Sequence, residues 1–228
     1  MFGKNPIEKP EEGRDGYTLR IVRGSPFITI QGEGPFAGQV AVFIRLHGCN
    51  LQCPFCDTDF SSKDNPRIKT VDLLDLVANL AKGRTHLVVI TGGEPTLQPL
   101  GPLVDGLRKQ NLAVQVETNG TMWQEVLRKT YMVVSPKTPR INEEVAANAL
   151  AYKYIISASE PYNPTDGLPC RLATPLLPVS PSGPEVYLNP MDEQDEQKNR
   201  ANAKETGKRA LQYGYRAGVQ LHKILDLQ

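Results

Sequence analysis

The chain has 228 residues, with 26 Lys and Arg against 25 Asp and Glu and a formal net charge of +1, so it carries no basic field of the kind that gathers nucleic acid. Its length suits one well-buried domain over 1–228, with 1–16 read as a flexible N-terminal extension. No apolar run is long enough to span a bilayer and the polar start has no signal-peptide core, which points to the cytoplasm, where clustered thiols are metal ligands and not a disulfide framework.

Taken in order, apolar segments predict strands over 17–22, 25–30 and 40–46. A helix follows over 71–81, capped by Thr70, with Val71, Leu74, Val77, Ala78 and Ala81 as its buried stripe. Next come a strand over 86–91, a helix over 102–110 and strands over 113–117, 131–134 and 152–157. The proline-rich stretch 159–184 reads as a surface cover. After a strand over 185–188, a helix near 192–213 opens on Glu193, Asp195 and Glu196 and closes on Lys208 and Arg209 before Gly214, matching the helix dipole at both ends. A last strand is predicted over 216–221. The alternation favours an α/β fold with a largely parallel sheet.

The chemistry concentrates in Cys49, Cys53 and Cys56, spaced C-x₃-C-x₂-C. Three thiolates leave a tetrahedral ion one ligand short, whereas a cubane held by three cysteines keeps one iron open to a cofactor. The competing reading is a zinc knuckle that borrows Cys170 or His47. Downstream, T-G-G-E-P at 91–95 follows an apolar strand, so it sits at a strand's carboxyl end. Together the two motifs resemble the radical S-adenosylmethionine superfamily, in which the cysteines hold a [4Fe–4S] cluster and the Gly-Gly-Glu-Pro turn binds the methionyl amine.

Further motifs narrow the resemblance: I-Q-G-E-G at 30–34, V-F-I-R-L at 42–46, C-D-T at 56–58, E-T-N-G at 117–120, S-P-K at 135–137, N-P-M-D at 189–192 and Q-L-H-K-I-L at 220–225. From Phe27 onward the chain is similar to the 7-carboxy-7-deazaguanine synthase family. That resemblance implies an incomplete, reduced (β/α) barrel and a lyase that contracts the ring of 6-carboxy-5,6,7,8-tetrahydropterin with release of ammonia, in 7-deazapurine (queuosine) biosynthesis. It implies a [4Fe–4S] cluster, adenosylmethionine used catalytically as the source of a 5′-deoxyadenosyl radical, Mg²⁺ on Thr58, a flavodoxin-like electron donor and a homodimer. Cofactor contacts carried over are Phe55, Cys56, Asp57, Gly93, Glu117, Ser135, Pro136, Lys137, Asn189, Pro190, Met191 and Asp192, with Asn189 standing where the family usually has Gln. Substrate contacts carried over are Ile30, Gln31, Gly32, Glu33, Arg45, Thr91, His222 and Gln228.

Each of these residues also has an ordinary reading. Arg45 interrupts an apolar strand, so its guanidinium needs an anion, either a substrate carboxylate or a structural ion pair. Gln-Gly-Glu-Gly is a common polar turn, Glu117 and Lys137 are by default solvated charges, and Phe55 is equally a packing residue. His47 and His86 gain no catalytic role. Two rival functions remain: a glycyl-radical-enzyme activase, which shares the cysteine spacing, and a zinc-binding interaction module, which leaves T-G-G-E-P unexplained.

Overall fold

The structure is a computed structural model that describes residues 5–10, 15–56, 58–138, 140–170 and 184–227. Asp57 and Gln228 therefore lie outside the described residues, as does 171–183 of the expected surface cover.

In chain order the elements are β1 (Thr18–Arg20), β2 (Phe27–Ile30), β3 (Val40–Leu46), β4 (Arg67–Lys69), α1 (Thr70–Ala81), β5 (Leu87–Gly92), α2 (Gly101–Lys109), β6 (Ala113–Thr118), β7 (Tyr131–Val134), α3 (Glu143–Asn148), β8 (Ala149–Ile156), β9 (Glu185–Pro190), α4 (Glu196–Tyr213), β10 (Arg216–Ala217) and α5 (Leu221–Ile224). Eight strands form one open sheet in the order β10-β9-β8-β7-β6-β5-β3-β2. Every pair is parallel except β2 with β3. β1 and β4 form a separate antiparallel ribbon. This is an α/β fold with an open parallel sheet, in keeping with an incomplete barrel.

β5 is apolar on both faces, as a buried parallel strand requires. Val88, Val89 and Ile90 of β5 are fully buried. The larger core joins Val42, Ile44, Val88, Ile90, Val114 and Val116 to Leu73 and Val77 of α1 and to Leu103 and Leu107 of α2. A smaller cluster of Ala41, Phe43, Leu87 and Val89 lies on the opposite face, with Phe27 stacked on Phe43.

Several expectations need correction. Thr70 is the first residue of α1 and not its cap; its hydroxyl donates to Gly16 O at 2.5 Å. The buried seam of α1 is Thr70, Leu73, Val77 and Ala81, while Val71 is exposed, because that tie to Gly16 turns Thr70 inward. α4 begins at Glu196, with Asp195 accepting from Lys198 N at 3.0 Å, and ends at Gly214 in the left-handed region, φ 74°. The final strand stops at Ala217: Gly218 packs so closely on Asn189 that a Cβ there would lie 2.5 Å from Oδ1, and the chain then turns into α5. Residues 5–10 do not extend freely, since Asn5 is buried and bonded to the loop carrying the cysteines.

Candidate active site

The carboxyl ends of the parallel strands open into a cleft of about 480 Å³, the position where open α/β sheets bind ligands. The loop after β3 brings Cys49, Cys53 and Cys56 to its wall, along with Phe55 and Thr58. Cys56 N donates to Cys53 O at 3.1 Å, closing a tight turn, and Leu51 N donates to Cys49 Sγ at 3.4 Å. Burial pushes the Cys49 thiol up to about 12 and raises Cys53 as well; around Cys49, Glu94 and the other two thiols add to the shift. Cys49 and Cys53 therefore ionise readily only where a cationic centre stabilises their thiolates.

The zinc-knuckle alternative lacks its fourth ligand. Cys170 is exposed and outside the cleft lining. His47 is buried with Nδ1 at 2.8 Å from Asn65 Nδ2 and Nε2 beside Glu8. Among the described residues no three His, Cys, Asp or Glu side chains, the cysteine triplet included, are gathered closely enough to hold one ion. What favours a cubane is the number of ligands: three thiols on one short loop, with Cys170 and His47 placed elsewhere, leave one iron open.

The T-G-G turn is built against this loop. Gly93 N donates to Leu46 O at 3.2 Å and Glu94 N to Gly48 O at 2.9 Å. A Cβ on Gly92 would lie 2.1 Å from Leu46 O, and one on Gly93 would lie 2.0 Å from Gly48 O, so only glycine lets the two strand ends meet. Glu94 does not reach the cleft. Fully buried, it accepts from Thr96 N at 3.1 Å, Thr96 Oγ1 at 2.6 Å, Thr118 Oγ1 at 2.8 Å and Asn119 N at 2.7 Å. Its role is to tie the ends of β5 and β6 together. Asn119 Nδ2 in turn donates to Asn50 Oδ1 at 2.8 Å, which fixes the E-T-N-G turn to the cysteine loop.

The floor of the cleft carries a charge network. Lys153 of β8 is buried, with Nζ 2.5 Å from Glu33 Oε2 and 3.1 Å from Glu117 Oε2. Gln31 and Gln115 each donate to Glu117 Oε1 at 3.0 Å. Burial works against the Lys153 ammonium, but Glu117 and Glu33 outweigh it and hold its pKa above the ordinary value. Burial likewise opposes ionisation of Glu33, yet Lys153 and Gln220 leave its carboxyl below the ordinary range. Lys137, beside the thiols, is pushed down to about 8 by burial and by the Lys153 charge; its Nζ lies 5.4 Å from the Phe55 ring centroid.

A profile of the radical SAM superfamily matches residues 43–133. The chain is 41% identical over its whole length to the 7-carboxy-7-deazaguanine synthase of Rhodospirillum rubrum, covering 100% of that protein. The chain belongs to the 7-carboxy-7-deazaguanine synthase family. A relative of the same name from Rickettsia prowazekii is 38% identical over 100% of this chain and 96% of its own length. The crystal structure of QueE from Escherichia coli superposes with a TM-score of 0.67 at 25% identity, covering 89% of this chain and 94% of that one. As a family member the chain is a radical SAM enzyme, which implies a [4Fe–4S] cluster and adenosylmethionine.

Most residues carried over from the family motifs share this one cleft. Ile30, Gln31, Glu33, Arg45, Thr91 and His222 line it together with Phe55, Thr58, Gly93, Glu117, Ser135, Lys137, Pro190, Met191 and Asp192. Arg45 lies 5.6 Å from the Phe27 ring centroid, and among the described residues no carboxylate pairs with it. Gly32 contributes backbone: its carbonyl accepts from Leu221 N at 3.2 Å, and a Cβ would strike His222 Nδ1 at 2.1 Å. His222 thus reaches the cleft from α5 and not from a closing strand. Pro136 is buried outside the lining. Asn189 is also outside it, fully buried under Gly218, and its amide has no hydrogen-bond partner among the described residues. Gln220 and Lys223 of the Q-L-H-K-I-L motif, which were given no role there, also line the cleft, as does Lys153, which lies in no motif. For Lys153 the signal was present: like Arg45, it interrupts an apolar strand.

Proposed function

We propose that the protein is a lyase that converts 6-carboxy-5,6,7,8-tetrahydropterin to 7-carboxy-7-deazaguanine, breaking a carbon–nitrogen bond and releasing ammonia. The observation that carries this reading is the convergence of the three cysteines, the T-G-G turn and the group Gln31, Glu33, Arg45 and His222 on one cleft. Cys49, Cys53 and Cys56 are the residues to hold the cluster; with adenosylmethionine bound, it supplies a 5′-deoxyadenosyl radical for hydrogen abstraction.

The chain's own residues orient the reactants. Arg45 offers a planar fork to the substrate carboxylate, already braced by the Phe27 ring. Gln31 and Glu33 present amide and carboxylate groups to the amino-pyrimidinone edge of a pterin. Glu117 accepts three donors, from Gln31, Gln115 and Lys153, which leaves a carboxylate site for a ribose hydroxyl. Phe55 provides an apolar wall and Lys137 a cation beside the thiols. The backbone of Gly93 and of Ser135 to Lys137, with Pro190, Met191 and Asp192 on the opposite wall, completes the cofactor side, to which Asp57 belongs by sequence.

Thr58 gives a hydroxyl for Mg²⁺, an ion that takes oxygen ligands and shares them with its substrate. A flavodoxin-like donor, a homodimeric assembly and a cytoplasmic setting complete the proposal; among the described residues no helix is long and apolar enough to cross a membrane. The test is anaerobic turnover of the reconstituted protein with carboxytetrahydropterin, followed by product mass and ammonia. Adenosylmethionine cleavage with the pterin recovered intact would overturn the substrate assignment.

A further inference from the structure

Residues 5–10, ahead of β1, have a use that the motifs do not account for. Asn5 is 4% exposed, while its neighbour Ile7 is 64% exposed. A segment on the surface therefore aims one polar side chain inward. Its contacts fall on both ends of the cysteine loop. At the far end, Asn5 Nδ2 donates to Thr58 O at 3.0 Å and lies 3.9 Å from Cys56 Sγ, the outer range of an N–H···S contact. In the middle, Gln52 Nε2 donates to Asn5 O at 2.9 Å. At the near end, Glu8 N donates to Cys49 O at 2.7 Å. The Glu8 carboxylate then lies 3.1 Å from His47 Nε2, and a Cβ on Gly48 would come 2.9 Å from Glu8 Oε2.

We infer that residues 5–8 form a strap that positions the cluster-binding loop, and that Asn5 is a positioning residue whose amide donates to Cys56 Sγ. Two physical consequences follow. Amide donors directed at a ligating sulfur favour the more negative, reduced cluster, so they raise its potential. The strap also ties Cys49 and Thr58 to one segment, so the loop cannot open to solvent without breaking the bonds at both ends. The inference rests on family membership and the cysteine triplet, and is independent of the pterin assignment.

The test compares the reconstituted full-length protein with Asn5→Leu, which keeps the branched side-chain shape and removes the donor. Two quantities that do not depend on turnover are read: the cluster midpoint potential and the rate of iron release to an excess of an iron(II) chelator. The expected result is a more negative potential and iron release faster by about tenfold, the scale of outer-shell losses at metal sites. Deletion of residues 1–10 should move both quantities in the same direction and serves if Asn5→Leu does not fold. Wild-type potential and release rate in either folded variant would overturn the inference. So would a lowered melting temperature with an unchanged potential, since the strap would then be merely structural.

Discussion

Lys153 is the most informative single substitution, because one buried ammonium holds two half-buried carboxylates at the floor of the cleft. Its side chain is 7% exposed, and those of Glu33 and Glu117 are 13% and 17% exposed. Lys153→Met keeps the stem and removes the charge, leaving both carboxylates without a cation at 2.5 and 3.1 Å. Breaking a buried pair from one side costs about 3–5 kcal/mol, far more than the roughly 1 kcal/mol ceiling of a surface pair. For a chain of this length that loss lowers the melting temperature by roughly 10 °C. The pH dependence has a definite sign. Lys153 is raised above its ordinary value, so its contribution is complete below 10.5 and lost as pH rises through the folded-state value. Glu33 is lowered, so its contribution is complete above 4.5 and lost as pH falls through its folded-state value. The wild-type contribution is therefore constant from about pH 5 to about pH 10, whereas in the variant burial raises the stranded Glu33 carboxyl, so the gap between the two should narrow as pH falls and that carboxyl takes up its proton. Urea denaturation of the cluster-free protein at several pH values measures it. Adding Glu33→Gln removes one stranded carboxylate, so the double variant should be less destabilised than the sum of the singles by about 1 kcal/mol or more. A loss under about 1 kcal/mol for Lys153→Met, or simple additivity, would refute a buried network.

Cys49→Ala, Cys53→Ala and Cys56→Ala should each abolish iron binding while Cys170→Ala leaves it intact; iron and sulfide analysis after reconstitution decides this. Arg45→Lys exchanges a fork for a point charge and should raise the substrate KM about tenfold, the loss of one charge-assisted hydrogen bond, with little change in kcat. Equal kinetics would return Arg45 to a structural role. Thr58→Ala should retain the cluster and adenosylmethionine binding but lose the stimulation of turnover by Mg²⁺. An unchanged Mg²⁺ response would remove Thr58 from the metal site. The hydrogen bond from Lys223 and that from Gln194 N hold the Asp192 carboxyl down at about 2, against an ordinary 3.8. This contact, which ties α5 to the β9–α4 junction, is thus complete above 3.8 and lost as pH falls through about 2. Asp192→Asn should lower the hydrogen-exchange protection of Leu221–Ile224 at neutral pH, whereas the wild-type protection should stay constant from neutral pH down to about 5.

What could be read from the sequence was whatever one stretch of chain determines by itself. β3 and β7 coincide with their predicted ranges because an uninterrupted apolar run between turn residues specifies a buried strand without outside help. The cysteine spacing and the T-G-G turn were legible for a similar reason: three ligands need a short loop, and two strand ends in contact need residues without Cβ atoms. The phase of α1 was not legible, because the seam depends on Thr70 reaching Gly16, a residue on a different element. Nor was the end of the sheet, where alternating 216–221 reads as a strand until Gly218 meets Asn189.

Polar residues show the same division most sharply. Glu94 belongs to a motif, yet its four donors place it inside the scaffold and leave the glycines to face the cleft. Lys153 lies in no motif, yet it joins Glu33, 120 positions away, to Glu117, 36 positions away. Asn5 was assigned to a flexible extension, and its partner Thr58 is 53 positions distant. A buried charge or amide is stable only where a partner is supplied, and no sequence window contains both members of these pairs. An unexplained polar residue within an apolar run is the one local sign of such a partnership. Arg45 and Lys153 carry that sign in the strands on either side of the cleft, and in both cases the side chain reaches the cavity where the reaction is proposed to occur.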